Sequence, residues 1–277
     1  MTLNIQKFDI SSIPGDSVVV FLGRRRVGKS TGIKDLLYYQ RDTPVATIIS
    51  ATEQANRFYG NFIPNVFIHH DYSEALIESV VNRQKKLKEK VEKTIKKKGQ
   101  CDIDQRAILV LDDMMFDTSW IKDKNIRLLF MNGRHWNMLF LIALQFPLGI
   151  TPTLRSNIDY VFIYRENNIN NRKRLYENYA SVFPTFEMFC IFMDSCTENY
   201  ECLVIKVNSS SNKLTDQVFW YKSTRDLPPF KLGAREFWDA QKEKEEDSEE
   251  EEEEEMFDIS QYNKKKNKLK LSINKKH

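Results

Sequence analysis

Residues 23–30 read GRRRVGKS, a complete G-x-x-x-x-G-K-[ST] motif, and they follow directly on the apolar run Val18 to Leu22. A buried strand that ends in a glycine-rich turn and opens a helix aims successive backbone N–H groups at one point, together with the positive end of the helix dipole. Such a point binds polyphosphate. The motif therefore predicts a strand–loop–helix unit in which Gly23, Arg24, Arg25, Arg26, Val27, Gly28, Lys29, Ser30 and Thr31 surround the phosphates of ATP or GTP. Lys29 is expected to reach the β- and γ-phosphates and the Ser30 hydroxyl to ligate Mg²⁺, while Gly28 lets the backbone approach without a clashing Cβ.

Ala107 to Leu111 is a second continuous apolar run, as a central parallel strand covered on both faces requires, and it ends in Asp112-Asp113. This is a Walker B pattern. Asp112 is placed to hold Mg²⁺ through water, and Asp113 to orient and deprotonate an attacking water. A third run, Leu139 to Leu144, ends in Gln145, an amide placed either to touch the γ-phosphate or to cap the following loop.

Val45–Ser50, Val66–His69 and Tyr160–Tyr164 are further strand candidates, with helical segments after most of them. The alternation predicts an α/β fold with a doubly wound, mainly parallel sheet and helices on both faces. Beyond Tyr164 come a helix around Asn170–Ala180, a Phe/Met-rich segment Phe183–Met193, and strands at Cys202–Val207 and Gln217–Tyr221. Phe183, Phe186, Phe189 and Phe192 recur every third residue and read as core.

At 277 residues and 41% apolar content the chain can bury a sizeable core, and the globular part is expected to span residues 1–240. Residues 241–277 hold QKEKEEDSEEEEEEE and then NKKKNKLKLSINKKH, blocks of opposite charge that bury no apolar area and predict a disordered tail. Nine Lys/Arg against two Glu between Arg83 and Lys98 form one stripe that accounts for the domain's net positive charge, and the rest is close to neutral. Leu76, Val80, Leu87, Val91 and Ile95 fall at helical steps beside it, so a lysine-rich amphipathic helix is expected over about 73–98. It serves either as a nucleic-acid backbone contact or as a solvated face. Cys101, Cys190, Cys196 and Cys202 form no C-x-x-C, the histidines complete no zinc pattern, and no stretch has membrane-spanning length. The expectation is a reducing, cytosol-like setting, no membrane insertion and no metal other than Mg²⁺.

The order GRRRVGKS, LVLDD, NGRHWNMLFLIALQ and TLRSNIDYVFIYRE resembles the genome-packaging ATPases of nucleocytoplasmic large DNA viruses, the poxvirus-type members of the FtsK-HerA group of P-loop NTPases. SATEQANRFYG, ENYECLVI and DQVFWYK extend the similarity over most of residues 12–224. The resemblance implies a RecA-like ATPase that pumps double-stranded DNA into a capsid as a homo-oligomeric ring. Its cofactors would be ATP and Mg²⁺, its further partners capsid or portal-like proteins, and its place the host cytoplasm at the viral factory or the virion. Lys29 and Ser30 would serve phosphate and Mg²⁺, Asp112 Mg²⁺, Asp113 catalysis and Gln145 γ-phosphate sensing. Cellular FtsK-type pumps usually carry Glu where this chain has Asp113. Ring motors of this group supply an arginine to the neighbour's ATP. Arg134, just ahead of the Gln145 strand, is the first candidate, with Arg155, Arg165 and Arg25 as alternatives. A P-loop kinase and a nucleotide-gated DNA- or capsid-binding adaptor are the rival readings. A GTPase is disfavoured because Asn212-Lys213-Leu214 is followed by Thr215 rather than Asp.

Overall fold

The computed structural model describes residues 4–114 and 119–246. The chain divides into two compact units, Met1–Ala234 and Arg235–His277. Within the second, residues 235–246 are helical, and the charge blocks from Asp247 onward lie outside the described residues.

The first unit is built on eight strands: β1 (Val18–Leu22), β2 (Ala46–Ser50), β3 (Ile68–His69), β4 (Ala107–Asp112), β5 (Met138–Leu144), β6 (Tyr160–Tyr164), β7 (Glu201–Lys206) and β8 (Val218–Lys222). They form one sheet in the order β3-β2-β4-β5-β1-β6-β7-β8. The pairs from β3 to β6 are parallel, and β7 and β8 add an antiparallel extension. Each residue of β1, β2, β4, β5 and β6 is buried, which is why these segments read as unbroken apolar runs rather than alternating ones. The expected strand at Val66 is only two residues long. Val66 itself sits 63% exposed in the 3₁₀ turn Asn65–Phe67.

The helices are α1 (Lys29–Tyr39), α2 (Glu53–Asn56), α3 (Glu74–Lys98), α4 (Lys124–Asn132), α5 (Pro152–Arg155), α6 (Ile169–Tyr179) and α7 (Phe186–Cys196). Alternate residues of β1 serve two cores. Val18, Val20 and Leu22 pack in the layer that holds α3, α4, α6 and α7. Val19 and Phe21 pack in the layer of α1, which the N-terminal Phe8, Ile10 and Ile13 and the segment Tyr59–Ile63 complete. Phe183, Phe189 and Phe192 are buried in the first layer, as their spacing predicted, with Phe186 partly buried against it.

Polar side chains fix the helix starts. Ser73 accepts from Leu76 N–H to open α3, Asn168 from Asn170 and Asn171 to open α6, and Thr185 from Met188 to open α7. The buried stripe of α3 is Ile77, Val81, Gln84 and Val91, with Leu76 and Val80 only partly buried, so it is rotated from the expected face. Ile95, expected on that face, is 47% exposed. Gln84 hides the true stripe because it is polar. Its buried amide donates to the carbonyls of Gln105 (2.8 Å) and Trp136 (3.0 Å), which removes the cost of placing it there.

At the extension, Phe8 N–H donates to Trp220 O at 2.8 Å and Trp220 N–H to Gln6 O at 3.1 Å, so the N-terminal segment lies along the free side of β8.

Candidate nucleotide site

The sheet delivers β1, β4 and β5 with their C-terminal ends side by side, and these ends carry the residues of all three motifs. Gly23 N–H donates to Leu144 O at 3.0 Å, which ties the loop's first residue to the end of β5. A Cβ at Gly23 would stand 2.7 Å from Tyr164 Cβ and 2.9 Å from Val27 Cγ2, so only glycine fits there. Gly28 precedes α1 at φ 106, in the left-handed region, and its carbonyl accepts from Gly32 N–H at 2.9 Å. Lys29 is buried, and its ammonium donates to the carbonyls of Gly23 (2.7 Å) and Arg24 (2.8 Å) across the loop. Burial lowers its pKa, with the nearby Asp112 and Asp113 carboxylates acting the other way.

Asp112 is 4% exposed and is the hub of the site. Its Oδ2 accepts from Ser30 Oγ at 3.1 Å and from the Tyr59 hydroxyl at 2.7 Å. Burial raises the Asp112 pKa, while the Tyr59 and Ser30 hydrogen bonds and the Lys29 charge oppose the rise. The Tyr59 hydroxyl is pushed well up, first by its own burial and then by Asp112. Asp113 stands next in the chain at φ 56, a left-handed conformation uncommon for a non-glycine residue. Gln145 Nε2 donates to its Oδ1 in a short hydrogen bond. Four residues chosen from sequence, Ser30 with Asp112 and Asp113 with Gln145, are thus brought together in two contacts.

Tyr59 carries no motif signature. It is delivered by the segment after β2, where the buried Glu53 accepts from the N–H groups of Phe58 (3.0 Å), Tyr59 (3.0 Å) and Gly60 (2.8 Å). Three amides converging on one carboxylate hold that turn rigidly. The stretch SATEQANRFYG, singled out only by resemblance, contains both residues.

Ser30 and Asp112 are hard oxygen donors in contact, a set suited to Mg²⁺, which binds through one or two protein oxygens plus substrate phosphates and water. No cluster of three or more His, Cys, Asp or Glu suited to a metal occurs among the described residues. A cavity of about 640 Å³ opens over the loop, lined by Arg26, Gly28, Lys29, Ser30, Thr31, Lys34, Phe58, Tyr200, Lys222, Ser223 and Arg225. The lining cations suit a polyphosphate.

The arginines separate. Arg24 turns its Nε to the buried Glu166 at 3.2 Å, whereas Arg25 is exposed. Arg134 lies at the other end of the strands from the loop: its guanidinium pairs at 3.2 Å with Asp159, whose Oδ2 accepts from Val18 N–H at 2.8 Å. It is therefore outside its own subunit's nucleotide site. Arg155 donates to Ile150 O at 2.7 Å and stacks over Tyr179, and Arg165 contacts Asn167 at 3.2 Å. On α3, Lys86, Lys90, Lys93, Lys97 and Lys98 share one shallow groove with Glu89 and Thr94. Lys96, Lys97 and Lys98 also occupy the last helical turn before Gly99, where cations favour the helix dipole.

No protein-family model matches the chain. Protein L437 of Acanthamoeba polyphaga mimivirus is 37% identical over 240 residues, which cover 86% of this chain and 83% of the relative. Protein 075L of Invertebrate iridescent virus 6 is 35% identical over 87% of this chain and 91% of its own length. The chain belongs to this family of large-DNA-virus proteins. Protein 015R of Frog virus 3, at 40% identity over 81% of this chain and 67% of the relative, is a further member. These are viruses of the group to which the motifs pointed. Among solved structures, B204, the DNA-packaging ATPase of Sulfolobus turreted icosahedral virus, aligns with a TM-score of 0.54 at 17% identity, over 76% of this chain and 99% of that one. EssC (ATPases 2 and 3) of Geobacillus thermodenitrificans aligns with a TM-score of 0.52 at 13% identity, over 76% and 41% respectively. The chain thus has the P-loop NTPase fold, with a mainly parallel sheet between helices. No helix among the described residues is long and apolar enough to cross a membrane.

Proposed function

We propose that the chain is an ATP-hydrolysing motor that moves double-stranded viral DNA into a capsid, working as a homo-oligomeric ring at the viral factory and docking on capsid or portal-like proteins. The observation that carries this reading is the pairing of Asp113 with Gln145 beside the Ser30–Asp112 contact, at the mouth of the phosphate loop. A carboxylate aimed by an amide at the end of the neighbouring strand suits activation of water. The double Asp at the end of one strand with Gln at the end of the next, rather than an arginine-rich lid over an acceptor pocket, weighs against the kinase.

In the proposed reaction the Asp113 carboxylate accepts a proton from water as that water attacks the γ-phosphorus; ADP leaves, and inorganic phosphate departs with the new P–O bond. Lys29 exchanges its two carbonyl partners for β- and γ-phosphate oxygens, and the loop N–H groups neutralise charge developing on the leaving side. Mg²⁺, held by Ser30 and Asp112, would supply further neutralisation of the phosphates. Gln145 links the base to the γ-phosphate and so reports its loss. The genome packaging NTPase B204 of Sulfolobus turreted icosahedral virus 2 has been solved with ATP-gammaS, which supports ATP here.

Double-stranded DNA added to the full-length protein should accelerate ATP hydrolysis. No acceleration at any length of duplex would leave an ATPase without the motor, the adaptor reading. Phosphate transfer to a nucleoside instead of water would establish the kinase.

A further inference from the structure

Resting on the nucleotide reading, we propose that the base of the bound nucleotide stacks on a wall formed by Tyr200 and Arg225, and that this wall accepts adenine and guanine alike. The sheet order places β4 and β5 on one flank of β1 and β6–β8 on the other. Asp112, Asp113 and Gln145 therefore gather on the first flank. A nucleotide whose γ-phosphate faces those carboxylates extends its base toward the second.

There the cavity continues past Thr31 to Tyr200, Lys222, Ser223 and Arg225. Tyr200 abuts the phosphate loop, since a Cβ built at Gly28 would lie 3.8 Å from its Cδ1. The ring is nonetheless well exposed, and the Arg225 guanidinium stands 4.6 Å from its centroid. A stacked aromatic–guanidinium pair facing a cavity presents flat, polarisable surface to a third planar group. Asn199 and Tyr200 stand at φ 51 and φ 65, a backbone cost that persists where function requires it. The segment leading to Arg225 is fastened to α1 by the fully buried Asp35, which accepts from Thr224 N–H at 2.6 Å and from the Tyr221 hydroxyl in a short bond. The segment that carries Arg225 is thereby tied to the helix that grips the phosphates.

Reading guanine against adenine requires an acceptor for the guanine N1–H and N2 amino groups, usually a carboxylate. The described residues lining this cavity are cations, hydroxyls, aromatics and glycine. The hydroxyls both donate and accept and so suit either purine, and stacking, which any purine satisfies, supplies the rest of the hold on the base.

Displacement of a fluorescent ATP analogue from the full-length chain by ATP, GTP and inorganic tripolyphosphate tests this. Tyr200→Ala should weaken ATP and GTP by the same factor, about tenfold, and leave tripolyphosphate within about twofold of wild type, while Tyr200→Phe retains purine affinity. Arg225→Ala, which leaves the strained turn untouched, should act in the same direction. Tripolyphosphate weakening in step with ATP would overturn the proposal, because Tyr200 would then only shape the loop. So would a wild-type preference for ATP over GTP above about 100-fold, which exceeds what a pocket without hydrogen-bond readout delivers. Undiminished tripolyphosphate binding by Lys29→Ala would instead sink the phosphate site itself, whatever Tyr200 does.

Discussion

Replacing Tyr59 by Phe deletes one hydroxyl from the interior and leaves the buried Asp112 carboxylate with Ser30 as its remaining hydrogen-bond donor. A hydrogen bond to a charged group contributes about 1.5–3 kcal/mol, against about 0.5–1.5 kcal/mol for one between neutral partners. Burial has raised the Asp112 pKa, and the Tyr59 bond is the first of the interactions opposing that rise. A carboxyl raised in the folded state adds most stability below its unfolded value, and the contribution is lost as pH climbs through the folded value. Removing the Tyr59 donor lifts the folded value further. The variant's deficit should therefore grow with pH, from about 1 kcal/mol near pH 4.5 to about 2 kcal/mol near pH 7.5. In thermal melts this is a loss of about 4–8 °C at the upper pH, at roughly 2–4 °C per kcal/mol for a domain of this size. Melting both proteins across the range cancels the titration of every other group. A deficit that is flat with pH, or larger in acid, would refute the placement of Tyr59 on an ionised Asp112.

Asp113→Asn should bind ATP normally and hydrolyse it about 10²-fold more slowly, as read by nucleotide titration and phosphate release; wild-type turnover would remove Asp113 as the base. Asn tolerates the left-handed backbone at this position, so the variant should fold. Arg134→Ala, if the arginine serves a neighbour's ATP, should poison mixed rings so that activity falls faster than the mutant fraction rises. A proportional decline would leave the pair between the half-exposed Arg134 and the buried Asp159 as its role. Replacing Lys86, Lys90, Lys93, Lys97 and Lys98 with Gln should flatten the salt dependence of duplex binding by about 0.9 for each DNA phosphate no longer neutralised, and spare basal ATP hydrolysis. An unchanged slope would return α3 to a solvated face.

Local grammar carried much of the fold. Five strands are buried on both sides, so their sequences are unbroken apolar runs, and the loop and carboxylates follow those runs directly. What the sequence left open depends on closure in three dimensions. Tyr59 meets Asp112 across 53 residues, and Arg134 meets Asp159 across 25, so no spacing encodes either. Gln84 broke the apolar period of α3 because two carbonyls from distant segments make a polar core position acceptable. Tyr200 and Arg225 face the loop only because β7 and β8 fold back antiparallel beside β6.

The two borders of the sheet bear on how copies of this chain meet. At one, β3 offers two residues of ladder; at the other, the N-terminal segment already occupies β8. Strand addition needs a long bare border to copy, and among the described residues neither side supplies one. Subunits of a ring would have to join through side chains and loops, without a shared backbone ladder across the joint. In the proposed ring, contacts of that kind would break and re-form piecemeal, letting neighbours slide against one another in each nucleotide cycle while the sheet inside every copy stayed intact.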